Sequence, residues 1–192
     1  DVITRIAYAQ KPGGLEKMQE TVVGTINGII DERMRMSGND RSLVSHMVVA
    51  GNTTMTQLFL GIDPKYIREA PYVPTAHFIP PVRAIHLGMH IGEHVHVYTF
   101  PMVASYVGGD IVAGVLGSGI FQREALTLYM DIGTNGEIVL GNKDWLASVS
   151  CSAGPAFEGA GIKFGMRAMR GAIEEVSINP HTYEPMILTI GR

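Results

Sequence analysis

The stretch Tyr129-Met130-Asp131-Ile132-Gly133-Thr134-Asn135-Gly136-Glu137-Ile138 holds the residue types best suited to phosphate chemistry. An apolar strand delivers Asp131 to the mouth of a glycine-bearing turn. Gly133 and Gly136 let the backbone approach a phosphate and aim N–H groups at it. Thr134 adds a hydroxyl donor, Asn135 completes the turn, and Asp131 would hold a hydrated Mg²⁺ beside the phosphate oxygens. The same residues also describe an ordinary Asn-Gly hairpin with Asp131 as a solvated strand end.

Three further segments carry potential chemistry. In Val48-Val49-Ala50-Gly51-Asn52-Thr53-Thr54-Met55 a strand ends in a small-residue turn that starts a helix. The N–H groups of Gly51, Asn52 and Thr53, with the positive end of the helix dipole, suit an anion. Asn52 or Thr53 capping its own helix is the plainer reading. In Val107-Gly108-Gly109-Asp110-Ile111, Asp110 stands at a helix start, either as a cap or as a second carboxylate for Mg²⁺-bound water. Ser152 to Gly161, with Gly154, is a helix entry crowded with small residues. Lys163 and Arg167 follow at helical spacing, where a solvated basic face is the simpler role. His86, His90, His94 and His96 suggest a metal site, but Gly88 and Gly92 interrupt the helix that would align them. Cys151 reads as a small side chain at a strand end, because no His is placed to activate it.

These segments need α/β elements to position them. Gly14 to Arg35 is an amphipathic helix with Leu15, Met18, Val22, Ile26, Ile29 and Ile30 on one face. Ser45 to Ala50 is a strand, and the helix after it runs to Leu60. Five prolines between 64 and 81 mark residues 63–93 as an irregular insertion with one short helix. His94 to Phe100 alternates as a strand, and Ile111 to Leu116 is an apolar helix. Ala125 to Leu140 reads as a hairpin in a mixed sheet, its turn opening into a polar cleft. Trp145 to Cys151 makes a third strand, Gly154 to Arg170 a Gly-rich helix, and Ala172–Ile178 and Pro185–Ile190 two last strands. The lobe boundary falls near 119–123, giving 1–120 as one part and 121–192 as another.

The 192 residues are 46% hydrophobic and 17% charged, with a net charge of -3. Such a chain can build a core but lacks the basic surplus of a nucleic-acid binder. No apolar run is long enough for a membrane span, and no signal peptide is visible. One cysteine cannot form an intrachain disulfide or ligate an iron–sulfur cluster alone. A cytoplasmic protein is expected. The start at Asp1 without Met and the end after a strand suggest an internal piece.

Together these segments resemble the superfamily of actin, the seventy-kilodalton heat-shock chaperones and sugar kinases. A closer resemblance is to the reductive activators of corrinoid proteins. It rests on Asp1-Val2-Ile3-Thr4-Arg5-Ile6, Ala50 to Met55, Arg68-Glu69-Ala70-Pro71-Tyr72, Tyr106 to Asp110, Asp131-Ile132-Gly133-Thr134-Asn135-Gly136-Glu137 and Cys151 to Gly159. The resemblance implies an actin-like α/β ATPase fold, with parts of two ribonuclease-H-like lobes whose mixed sheets are flanked by helices. It implies ATP and Mg²⁺ as cofactors, with Asp131 and Asp110 as catalytic and metal-holding carboxylates. Gly133, Thr134, Asn135, Gly136, Gly51, Asn52, Thr53 and Gly154 would line the nucleotide.

The implied function is ATP-dependent return of a corrinoid protein from Co(II) to Co(I). This chain would supply ATP binding, hydrolysis and conformational coupling. An iron–sulfur cluster would belong only to a missing N-terminal region, and this piece alone would be inactive. The implied partners are a corrinoid protein and ATP, with a homodimer left open. A small-molecule kinase of the same superfamily and a nucleotide-free interaction domain are the competing readings.

Overall fold

In the computed structural model, residues 2–133, 135–152, 166 and 169–191 are described. The chain divides into two compact units. The first comprises Asp1–Asp131 and Glu137–Ser150, and the second Ile132–Gly136 and Cys151–Arg192.

The first unit opens with helix α1 (Val2–Ala9) and the long α2 (Gly14–Ser37). Gly13 and Gly38 flank α2 in left-handed conformations, with φ 69° and 67°, so glycine marks both its ends. The periodicity over Gly14 to Arg35 agrees with α2; α1 is a further helix, whose buried face carries Ile6 and Ala9. Strand β1 (His46–Val49) leads to α3 (Thr53–Leu60), and a short α4 (Lys65–Arg68) follows. The two-residue β2 (Val82–Arg83) runs antiparallel to β3 (His96–Thr99), while β1 runs parallel to β3, pairing His46 with His96. The order β1-β3-β2 makes a small mixed sheet.

The core of this unit joins Val23, Phe59, Ala84, Leu87, Met89, Ile91, Val95 and Val97. Four of these lie within 63–93. That segment is irregular in backbone, as its prolines foretold, yet it supplies half of the core. Two of its backbone groups are satisfied from α2: buried Asn27 donates to the Gly88 carbonyl at 2.9 Å and accepts from the His90 N–H at 2.8 Å.

Helix α5 (Gly109–Ser118) precedes a second sheet of β4 (Thr127–Ile132), β5 (Asn135–Gly141) and β6 (Leu146–Ser152), with β5 central. A small cluster of Val107, Ile111 and Val139, with Val115 and Tyr129 packed against it, joins α5 to this sheet. β4 alternates strictly. Thr127, Tyr129 and Asp131 are half-buried, whereas Leu128, Met130 and Ile132 are exposed.

In the second unit, β7 (Ile173–Ile178) and β8 (Pro185–Thr189) pair antiparallel. Asn179 closes their turn by accepting from the His181 and Thr182 N–H groups. The expected helix over Gly154 to Arg170 falls almost entirely outside the described residues. No helix among the described residues is long and apolar enough to cross a membrane.

Candidate functional site

The turn after β1 brings the chain to Asn52, whose extended backbone and side chain cap α3. Asn52 Oδ1 accepts from the Met55 N–H at 2.8 Å. Thr53 is buried and its hydroxyl donates to the Ala104 carbonyl at 2.7 Å. The Thr56 hydroxyl donates to the Gly51 carbonyl at 3.2 Å. The side chains of Asn52 and Thr53 thus each make a hydrogen bond within the protein, Asn52 as the cap of its own helix. What this turn can offer an anion is backbone N–H and helix dipole.

The start of α5 meets the start of α3. The Asp110 N–H donates to the Gly51 carbonyl at 3.2 Å. Gly108 lies so close to the α3 turn that a Cβ there would stand 2.5 Å from Asn52 Cα and 2.7 Å from Thr53 N. A Cβ on Gly109 would stand 2.8 Å from the Phe100 carbonyl oxygen. The paired glycines are thus required by close approach of backbones. Two segments singled out separately in the sequence form one junction of two helix N-termini.

Asp110 projects from this junction. One of its oxygens accepts from the Ile111 N–H at 2.9 Å, so it helps to cap α5. Burial pushes its carboxyl above the usual range, the Ile111 N–H opposes that, and the Asp131 charge adds to the rise. Asp110 and Asp131 therefore share a neighbourhood, as their paired use would require. Two groups not anticipated from the sequence join them. Burial raises Glu137, the Ser150 hydroxyl that donates to it at 3.2 Å opposes this, and the charges of Asp110 and Asp131 raise it further. Tyr129 is raised by burial and by the same two carboxylates. Tyr129 could have been found from its place two residues before Asp131 on one strand face. Glu137 could not, because the turn length that sets its register is not readable from composition.

The glycine turn belongs to the second unit. The Gly133 N–H donates to the Asn135 carbonyl at 2.9 Å, and the buried Gly136 accepts from the Cys151 thiol at 3.3 Å. Strand β5 already begins at Asn135. Asn135-Gly136 is therefore part of the returning strand and not the turn centre expected from an Asn-Gly pair. Thr134, Gly154, Lys163 and Arg167 lie outside the described residues.

The donor set fits a hydrated divalent cation. Asp110 and Asp131 are oxygen donors whose mutual repulsion a cation would relieve. Among the described residues no group of three or more His, Cys, Asp or Glu could hold a metal directly. A cavity of about 270 Å³ lies between α5 and the β5–β6 strands, lined by Val107, Ile111, Val115, Val139 and Leu146 among others. It is apolar.

Residues 1–123 match the family model described as the RACo middle region, and residues 125–192 match that of the C-terminal domain of RACo, the ASKHA domain. The chain is 36% identical over 177 residues to the corrinoid activation enzyme RamQ of Eubacterium limosum, covering 92% of this chain and 30% of that protein. It is 38% identical over 149 residues to the Co(II) methylated amine-specific corrinoid protein reductase of Methanosarcina barkeri, covering 71% of this chain and 27% of that protein. A solved structure described as a reductive activator for corrinoid, iron–sulfur protein superposes with a TM-score of 0.79 at 54% identity, covering 100% of this chain and 31% of the other. The chain thus spans under a third of the length of these relatives.

Proposed function

Because the chain belongs to the RACo family of reductive activators, through its middle region and part of its ASKHA domain, we propose that it provides the ATP-using part of a protein that returns a corrinoid cofactor from Co(II) to Co(I). The fold is the actin-like α/β fold of the ASKHA domain, with small sheets flanked by helices. Residues 1–120 are read as the remainder of a first lobe and 121–192 as the start of a second, a division supported by family models that meet between residues 123 and 125.

The observation that carries this reading is the Asp110–Asp131 neighbourhood beside two joined helix N-termini. Mg²⁺, when bound, would supply positive charge to the phosphates. Asp131 and Asp110 would hold its waters, and the backbone N–H groups at the starts of α3 and α5 would orient phosphate oxygens. Phosphoryl transfer of this kind needs little covalent work from the protein, so positioning carries most of the effect. Gly133, Thr134, Asn135 and Gly136 are proposed as the backbone cradle, and Gly154 as a close-approach point. The reduction itself adds one electron to cobalt. The single Cys151 cannot ligate a cysteine-bound cluster alone, and the proposed donor of that electron is an iron–sulfur centre outside these residues. The names of the relatives support a corrinoid protein as partner. A free, exposed Cys151 and a very reduced cobalt both suit a reducing cytoplasm.

The test is phosphate release by the full-length protein. Asp131→Asn should slow Mg²⁺-dependent ATP turnover on the order of a hundredfold while the protein stays folded. Turnover at the wild-type rate would remove Asp131 from the site.

A further inference from the structure

Gly114 stands in the middle of α5 with an ordinary helical backbone, where glycine is less favourable than alanine. Its neighbour in space explains it. A Cβ built on Gly114 would overlap the Tyr129 hydroxyl and Cζ, and would lie 3.1 Å from Cε2. Gly117, three residues later on the same helix, has nothing within 4 Å of such a Cβ. Close approach is therefore needed at Gly114 and not at Gly117.

The contact has a particular address. Asp110 lies four residues before Gly114, on the same face of α5. Asp131 lies two residues after Tyr129, on the same half-buried face of β4. The ring of Tyr129 thus meets α5 one turn from the first carboxylate, and its own strand carries the second. Both carboxylates act electrostatically on Tyr129, as their closeness requires.

We propose that Gly114 and Tyr129 form the positioning contact that sets the separation of Asp110 and Asp131, and through it the affinity for a hydrated cation bridging to phosphate. The proposal rests on the reading of that site given above. Tyr129 acts here through the carboxylates and touches no reacting atom. An added methyl at Gly114 pushes the strand from the helix and widens the pair. Truncating Tyr129 in the same chain makes room for that methyl.

The full-length protein tests this with two readouts. Thermal unfolding without nucleotide follows Gly114→Ala, Tyr129→Leu, the double variant and Gly117→Ala. Calorimetry measures the binding of Mg-ADP to each. Gly114→Ala should lower the melting temperature and weaken Mg-ADP binding about tenfold, the scale of a small misplacement of binding groups. The double variant should recover to within about threefold and show less than additive destabilisation. Gly117→Ala should bind Mg-ADP as wild type does and keep or slightly raise the melting temperature, since its Cβ meets open space. Should Gly114→Ala not fold, Tyr129→Phe deletes the atom nearest Gly114 and should weaken Mg-ADP binding a few-fold at unchanged melting temperature. Unweakened binding in Gly114→Ala or in Tyr129→Phe, or strictly additive destabilisation, would overturn the proposal. If Asp131→Asn binds Mg-ADP as wild type does, the site reading and the positioning role fall together. The coupling in melting temperature would then persist, which separates that failure from the absence of the contact.

Discussion

The Asp110 N–H and the Gly51 carbonyl, 3.2 Å apart, join the first turn of α5 to the turn that opens α3. Gly108 makes this possible, since any side chain there would strike Asn52 and Thr53. Gly108→Ala should therefore cost about 1–3 kcal/mol, the usual range for overpacking, read by denaturant unfolding. Gly51 differs. A Cβ there would meet only the Thr56 hydroxyl at 3.5 Å, an ordinary contact. Gly51→Ala should leave stability within about 0.5 kcal/mol and weaken nucleotide binding. An equal loss of stability in both variants would contradict this account.

Asp110 and Glu137 make stability depend on pH in a defined direction. Asp110 and Glu137 are raised by burial and by charge, so the folded state binds their protons more tightly than the unfolded state does. Stability then falls as pH rises from the ordinary carboxylate range through these raised values, and the cost is fully present above them. Asp110→Asn keeps the acceptor for the Ile111 N–H and removes the charge. At neutral pH it should stabilise the Mg²⁺-free protein by about 1 kcal/mol, a value discounted for partial exposure. Thermal melts across pH check it. A destabilised Asp110→Asn at neutral pH, or an unchanged pH slope, would show that the pair is not strained.

Legibility from sequence followed length and local chemistry. The long α2, with its flanking glycines, and the strand–turn–helix at Asn52 were readable because their signals are local. The pairing of Gly108 with Asn52 was not, since it depends on where two separated segments meet in space. Residues 63–93 were read as an irregular insertion from their prolines, and the backbone agrees. Their share of the core was missed because Ala84, Leu87, Met89 and Ile91 are buried one by one, without a period. At the site, Asp110 and Asp131 were visible as acids at element ends. The hydrogen bonds of the Asn52 and Thr53 side chains, the second reaching Ala104 across 51 residues, are given only by the geometry.

Gln57 on α3 is wholly buried, and neither its Oε1 nor its Nε2 has a hydrogen-bond partner. An unpaired buried polar group costs about 1–3 kcal/mol. Gln57→Leu, similar in volume, should therefore raise stability, measured as an upward shift in the denaturant midpoint at unchanged slope. A fall of more than 1 kcal/mol would mean that the amide is satisfied in solution.

Asn52→Ala removes the cap of α3 and should cost about 0.5–2 kcal/mol, with nucleotide affinity changing only in step with stability. A large loss of binding at preserved stability would show the Asn52 side chain to be a ligand group as well as a cap.

The central claim is that Asp131 couples ATP to cobalt reduction. Its most direct measurement is the appearance of Co(I) absorbance in a corrinoid protein mixed with the reduced full-length activator, with and without Mg-ATP, for wild type and Asp131→Asn. The account predicts ATP-dependent Co(I) formation in the wild type and its loss, on the order of a hundredfold, in the folded variant. Co(I) formation that needs no ATP, or that proceeds equally in Asp131→Asn, would contradict it.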